Sequence, residues 1–374
     1  MPVAMAMIYE LFEPSERGRA LGYFGIAVMA APAIGPVLGG GLVSSLSWRW
    51  LFLINVPIGV IAVPVAIRLL RDTGYRESRP FDRIGLALGA IGLSCFLVGI
   101  SQGGINGWSN PSVIALVAIG VIVMSAFVVH SFHVESPLLK LQILTNPTFA
   151  IAMACLGLMA VAQYSRLVYI PLELGSVRGI SEFQIGLAML PSALCIAAMM
   201  PVGGRLVDRV GARIPVSLGV GLLAISFVGL WVLDIDTPIA VVAALLGLGG
   251  LGSGLAMMSP NVIAMNSVTA SDVSQASGLS NVCRQISAAV GVAALASVFA
   301  TVRPPGEIDP ADPDVLDPYR TVYAIAVGLL VCALIVAQFL PGKRRALELQ
   351  NERRREFDES AAGSLPIVHT ADAH

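Results

Sequence analysis

The strongest constraint on this chain is a series of apolar stretches, most of them about twenty residues long, separated by short polar connections. A helix needs about 20 apolar residues to cross the roughly 30 Å of hydrocarbon in a bilayer. Only 13% of the residues are charged and 56% are hydrophobic, which is far from the balance of a water-soluble domain. We therefore predict an all-α polytopic membrane protein with about ten complete transmembrane helices and one partial helix at residues 1–8. The predicted spans are 20–46, 50–70, 84–103, 112–131, 148–172, 184–203, 214–233, 238–262, 280–302 and 321–341.

Lysine and arginine are distributed unevenly between the two sets of connections. The loops at 68–83 and 204–213 and the tail at 343–355 are rich in arginine, whereas the connections on the other side carry few cations. Positive loops remain on the cytoplasmic side of a membrane. We therefore predict a cytoplasmic C-terminus and place the Pro- and Asp-rich connection 303–320 outside.

The first predicted span contains an unusual group of small residues: Gly22, Gly35, Pro36, Gly39 and Gly40. Glycine is costly inside a helix unless a neighbouring backbone comes close, and proline removes a backbone hydrogen bond. The four-residue spacing of Gly35 and Gly39 is also found in ordinary helix packing. The cluster predicts either a close helix contact or a bend in this span.

Two strings carry a resemblance to a known family. The first is GPVLGG at 35–40 and the second is WRWLFLINVPIG at 48–59. Together they resemble the fourteen-helix drug:proton antiporter branch of the major facilitator superfamily, in which the first motif lies on the fifth helix and the second opens the sixth. The residues of the sixth-helix motif are Trp48, Arg49, Asn55 and Pro57.

This resemblance implies a function. It indicates a secondary transporter of the inner (plasma) membrane that exports lipophilic or cationic drugs and other small molecules in exchange for protons, by alternating access. Its expected partners are drug-like molecules, protons and the lipid bilayer. It implies no enzymatic activity and no cofactor, and it identifies neither the particular cargo nor any accessory export protein.

The resemblance also predicts four parts. Residues 1–82 would be a remnant of the N-terminal bundle, 83–146 a two-helix insertion, 147–342 a C-terminal six-helix bundle, and 343–374 a basic cytoplasmic tail. The chain would then begin inside the fourth family helix, without the first three helices and their proton-relay residues. Two alternatives therefore stay open: a truncated fragment that does not transport, and a membrane scaffold that uses the tail.

The connection GRLVDRVGAR resembles the loop motif of the same superfamily. Its acid and arginines beside a helix end can form charge-assisted hydrogen bonds that hold one bundle to the other and release when the bundles rock. A plain positive-inside turn with a glycine breaker is the alternative. The motif residues are Gly204, Asp208, Arg209, Gly211 and Arg213.

Charged residues inside spans are candidates for the transport path, because an ionised group in hydrocarbon needs a partner or a cavity. Gln163, Arg166 and Glu173 follow each other at helical spacings of three and seven, so they share one face of the predicted span 148–172 or its end. Pro171 would let the outer end bend. The alternatives are that Arg166 is paired or snorkels and that Glu173 lies at the external interface.

A second polar face is predicted near the start of the span 280–302. Arg284 and Asn281 lie three residues apart, and Asn261 follows the glycine-rich run 247–254 of the preceding span. This face could line a pathway, but Arg284 could equally be an interfacial arginine at a helix start. The glycine-rich run is also consistent with helix packing alone.

Other chemistry has little support in the sequence. His130, His133 and Glu135 are interpreted as the polar end of a helix rather than as metal ligands. The basic residues form no patch with interleaved aromatic residues, which argues against nucleic-acid binding. Without a phosphate-cradling loop, the proton gradient is the expected energy source. The five isolated cysteines are expected to be small lipid-facing or core-facing residues.

Overall fold

The computed structural model describes residues 35, 38–69, 81–269, 272–302, 314–342 and 348. Residues 38–45 are helical, and an interrupted helix follows as α1 and α2. A 3-10 helix, Leu141–Thr145, precedes the last six helices. The helices are α1 (Trp50–Leu53), α2 (Asn55–Leu69), α3 (Arg83–Asn106), α4 (Pro111–His133), α5 (Pro147–Ser176), α6 (Glu182–Val210), α7 (Arg213–Trp231), α8 (Ile239–Asn266), α9 (Val273–Val302) and α10 (Asp317–Ala337).

The predicted all-helical membrane architecture is confirmed. Within the described residues nine helical spans are long and apolar enough to cross a membrane, and they follow the last nine predicted spans in order. The first predicted span, 20–46, lies mostly outside the described residues. The proposed division into 1–82, 83–146, 147–342 and 343–374 stays a prediction.

Several helices are longer than the apolar stretches that predicted them. Helix α5 begins at Pro147 because the side chain of Asn146 accepts hydrogen bonds from the backbone N–H groups of Thr148 and Phe149. Helix α6 continues to Val210, so residues 204–210 are its last turns, and the prediction that they form a loop is wrong. A helix can extend past the hydrocarbon because its backbone hydrogen bonds remain internal. It stops at Gly211, which has φ +82°.

The six helices α5–α10 form a closely packed bundle. Helix α8 packs against α5, α6 and α7, while α10 packs against α5 and α7. Small residues allow this approach: a side chain at Gly250 would collide with the backbone of Ser192 in α6. The core contains fully buried side chains such as Phe149, Phe227 and Tyr323.

Helices α3 and α4 form a hairpin that packs against the outside of this bundle. The two helices meet through glycines: an added Cβ at Gly99 would lie 2.7 Å from Val117, and one at Gly120 would lie 2.6 Å from the backbone of Phe96. The hairpin also contacts α9, because Gly104 lies against Ser297. The remaining sides of both helices carry exposed apolar residues.

Candidate functional site

The first part of the candidate site joins helices α5 and α8 through three side chains. Arg166 donates from Nη2 to Gln163 Oε1 at 3.0 Å, and Ser253 Oγ donates to the same oxygen at 2.9 Å. Arg166 Nη1 also lies 3.4 Å from the carbonyl oxygen of Leu246 in α8. Gln163 and Arg166 point the same way because they lie three residues apart in one helix. We call this group the Arg166 cluster.

Glycine in α8 makes room for the guanidinium group of Arg166. A Cβ at Gly249 would collide with Arg166 Nη1, so a side chain at this position would displace the cation. Arg166 is only 3% exposed and forms no ion pair with any carboxylate of the described residues. A buried cation that relies on neutral acceptors is costly inside a membrane, which keeps Arg166 a candidate for the transport path.

Glu173 lies on the same helix but belongs to a different network. Arg178 donates to Glu173 Oε1 from Nε at 3.2 Å and from Nη2 at 2.9 Å, while the hydroxyl group of Tyr323 donates to Oε2 at 2.6 Å. Arg178 Nη1 also binds the carbonyl oxygen of Thr237. Glu173 is therefore buried and paired, and it joins the end of α5 to α10 and to the connection between α7 and α8. Neither Arg178 nor Tyr323 was predicted as a partner of Glu173.

A second set of polar side chains lies on α5 and α9 and is partly exposed. The hydroxyl group of Tyr164 donates to Gln285 Oε1 at 3.0 Å, and Arg284 Nη2 donates to Asn281 Oδ1 at 3.0 Å. Gln285 and Asn281 are exposed, while Tyr164 and Arg284 are half-buried. We call these four residues the polar wall.

The depth of the polar wall decides what it faces. At about 1.5 Å per residue, Gln285 lies roughly 18 Å along α9 and Tyr164 roughly 26 Å along α5. Because α9 begins at Val273, Arg284 lies about three turns inside the helix and not at its start. Exposed polar side chains at this depth are stable when they face a water-filled cavity. Asn261 accepts a hydrogen bond from Ser280 at 3.1 Å between α8 and α9.

The glycine motif of the first predicted span is described in part. A Cβ at Gly40 would collide with the backbone of Glu182 at the start of α6, and Gly41 lies against the ring of Phe183. Gly35 and Gly39 have open space around them, apart from Leu51 at 3.7 Å from a Cβ at Gly39. Gly22 and Pro36 lie outside the described residues. The stretch 38–45 therefore meets the C-terminal bundle through Gly40.

The sixth-helix motif forms a local surface at the start of α1 and α2. The guanidinium group of Arg49 lies 5.2 Å from the ring centre of Trp48, which itself packs edge-on against Phe52. Asn55 donates to the carbonyl oxygen of Leu51 at 3.4 Å, and Pro57 is exposed. Among the described residues these side chains contact neighbours in sequence and not the Arg166 cluster.

The loop-motif residues lie at and just beyond the C-terminal end of α6. Gly204 is within van der Waals distance of Met258 in α8, with 3.8 Å to an added Cβ. Arg209 and Arg213 are exposed on either side of Gly211. The side chain of Asp208 lies outside the description, so the expected hydrogen bonds between the bundles stay a prediction.

The histidines at the end of α4 form hydrogen bonds within the protein. His130 Nε2 lies 2.8 Å from Asp82 Oδ1, and Asp82 also caps α3 and accepts from the backbone N–H of Leu138. The hydrogen bond from His130 lowers the pKa of Asp82 below its ordinary value; burial opposes this shift, and the two backbone N–H groups support it. His133 binds a carbonyl oxygen of its own helix.

Fold and site together define a class: a polytopic helical membrane protein whose spans enclose charged and polar side chains, as in small-molecule transporters. The family model described as Major Facilitator Superfamily matches residues 1–292 and 153–369. The chain belongs to this superfamily.

Curated relatives agree with this assignment. The chain is 31% identical to the uncharacterized MFS-type transporter YhcA of Bacillus subtilis (strain 168), over 80% of this chain and 56% of the relative. It is 29% identical to the multidrug transporter protein MdtP of the same strain, over 80% and 56%. It is 27% identical to a multidrug resistance protein B homolog of Mycobacterium tuberculosis (strain ATCC 25618 / H37Rv), over 91% and 70%. The chain thus spans little more than half the length of the first two.

Proposed function

We propose that this chain exports lipophilic or cationic drug-like molecules in exchange for protons, as a member of the fourteen-helix drug:proton antiporter branch. The polar wall carries the proposal, because exposed polar side chains at mid-membrane depth require a water-filled cavity. The names of two relatives, a multidrug transporter and a multidrug resistance protein homolog, support drugs as the cargo.

In this proposal the cargo passes along the polar wall and the Arg166 cluster. Gln163 and Asn261 supply neutral hydrogen-bonding groups, while Arg166 and Arg284 donate to the amide oxygens of Gln163 and Asn281. Gln163 Oε1 accepts from both Arg166 and Ser253, so a change at this amide affects the packing of α5 on α8. Binding events in the cavity are thereby coupled to helix packing.

Glu173 is the proposed proton-binding carboxylate in this bundle. Protonation would remove the negative charge that Arg178 pairs with and would weaken the acceptor of the Tyr323 hydroxyl group. The link between the end of α5 and Thr237 would then loosen, because Arg178 holds both. A proton would in this way favour one arrangement of the bundle over another.

The contact between Gly40 and the start of α6 is the proposed place where the N-terminal stretch closes against the C-terminal bundle. Gly40 lets the stretch 38–45 come directly against the start of α6. A contact made by small residues can separate without leaving buried polar groups unsatisfied, as rocking of two bundles requires. The arginine-rich connections support a plasma-membrane orientation with a cytoplasmic C-terminus.

Efflux of ethidium from cells expressing the chain tests this function. We expect efflux that a protonophore abolishes. Arg166→Ala should lose most of it, whereas Arg166→Lys should keep a part because it retains the charge but not the planar donor geometry. The matched control is Arg320→Ala, which removes a partly exposed cation paired with Asp234.

Two results would overturn the proposal. The first is ethidium efflux that is insensitive to the protonophore. The second is an Arg166→Ala variant that exports as fast as the Arg320→Ala control. The amount of each variant in the membrane and its thermal stability should be measured together with efflux, so that misfolding is separated from loss of transport.

A further inference from the structure

An apolar cleft of about 310 Å³ lies outside the polar wall, where α4, the 3-10 helix and α9 meet. Thr145 is the one polar side chain among its lining residues. Such a wall offers almost no partner for a polar ligand, so the occupant must be largely apolar. The lining includes Phe127 and Phe132 from α4, Leu141 and Leu144 from the 3-10 helix, and Leu279 and Cys283 from α9.

The cleft is continuous with the outer surface of the hairpin. Val128 and Phe132 line it and are themselves 40% and 45% exposed. The neighbouring side chains Ile122 and Val129 on α4 are also exposed. Exposed apolar residues along a membrane span contact lipid tails, so an acyl chain can enter the cleft sideways from the bilayer.

A cation lies next to the cleft lining along the chain. Lys140 lies between the lining residues Leu139 and Leu141, and its side chain is 42% exposed. Its Nζ atom contacts Asp272 Oδ1 at 2.7 Å. An ammonium group has three donors, so this contact leaves donors that a phosphate can use. Lysines at the ends of spans reach the level of the lipid headgroups.

We propose that the cleft binds one acyl chain of a phospholipid, whose phosphate lies on Lys140. The apolar wall and the cation that adjoins it in sequence match the two chemical parts of such a lipid. The bound chain would fill the gap between the hairpin and α9 and hold these two parts together. The orientation given in the proposed function, on which this point rests, places the bound lipid in the cytoplasmic leaflet, whereas binding itself requires no transport.

Native mass spectrometry of the full chain in detergent, titrated with dioleoyl phosphatidylglycerol, tests this site. We expect saturable binding of one lipid at low lipid concentration. Cys283→Trp should fill the cleft and raise the apparent Kd at least about tenfold, because losing even two buried methylene contacts accounts for such a factor. Cys332→Trp is the matched control, because Cys332 is exposed on α10.

Further variants separate the sources of binding. If Cys283→Trp fails to fold, Cys283→Leu fills less of the cleft and should raise the Kd by a smaller factor in the same direction. Lys140→Gln should weaken phosphatidylglycerol several-fold by removing the headgroup contact. Equal Kd values for the two tryptophan variants would overturn the proposal, and so would displacement of the lipid by excess ethidium, which would make the cleft a cargo site. The efflux test and the lipid test can fail independently of each other.

Discussion

The C-terminal bundle and the α3–α4 hairpin use apolar residues in opposite ways. Of the described spans, α4 is the most apolar, yet only 17% of an apolar 18-residue stretch of this helix is buried. Helix α5 is the least apolar, and 61% of the corresponding 18-residue stretch is buried. In a membrane the lipid is as apolar as a protein core, so the hairpin can leave its apolar side chains outside while the bundle encloses polar groups.

The two regions therefore depend on different contacts. The bundle depends on close packing and on buried polar networks such as Glu173 with Arg178 and Tyr323. The hairpin depends on glycine contacts between its helices and on polar contacts at its end, where Asp82 binds His130. Three comparisons of variants test this difference, in decreasing order of their largest expected effect.

Glu173→Gln should have the largest effect. It leaves Arg178 buried without its counter-charge, which typically costs about 3–5 kcal/mol. The free energy of unfolding in mixed micelles measures this. The double variant Glu173→Gln with Arg178→Met should recover part of the loss, because it removes both charges. A Glu173→Gln protein as stable as the parent would mean that this ion pair does not hold the bundle together.

Matched isoleucine truncations compare packing in the two regions. Ile170 in α5 is 1% exposed, whereas Ile122 in α4 is 67% exposed. Ile170→Ala should cost about 2–5 kcal/mol through a cavity, and Ile122→Ala should stay within about 0.5 kcal/mol. Thermal unfolding in one detergent gives both values. Similar losses at the two positions would show that the hairpin surface is covered by protein rather than by lipid.

Asp82→Ala should have a smaller effect than Glu173→Gln or Ile170→Ala, about 1 kcal/mol, because it removes a helix cap. Asp82→Asn keeps the cap acceptor and loses only the charge. Since the pKa of Asp82 is lowered in the fold, the contribution of its charge is present above its usual pKa of about 3.9 and is lost as the pH falls through its lower folded value. The stability difference between parent and Asp82→Asn should therefore disappear in acid. A difference that persists in acid would contradict a charge effect.

Some features of this structure could be predicted from the sequence and others could not. The nine described spans were predictable, since each needs only a local run of apolar residues. The pairing of Gln163 with Arg166 was predictable from helical spacing, because both lie in one helix. Ser253 and Gly249 were not predictable as their neighbours, because this contact depends on how α8 packs against α5.

The exact ends of the helices were also not predictable from the apolar stretches. The predicted spans ended where the apolar residues ended, but α6 continues through Gly204 and Arg209 to Val210. Backbone hydrogen bonds sustain a helix beyond the hydrocarbon, and a backbone change at a residue such as Gly211 decides where it stops.

By itself, the sequence determined that this chain is a helical membrane protein, because runs of apolar residues cannot be stable in water and must cross lipid as helices. Its motifs also indicated the superfamily. Only the tertiary structure decided which intramembrane charges are paired. Glu173 meets Tyr323, which is 150 positions away along the chain, while Arg166 is surrounded by neutral acceptors. The physical reason is that the cost of a buried charge depends on its neighbours in space, and these are set by helix packing.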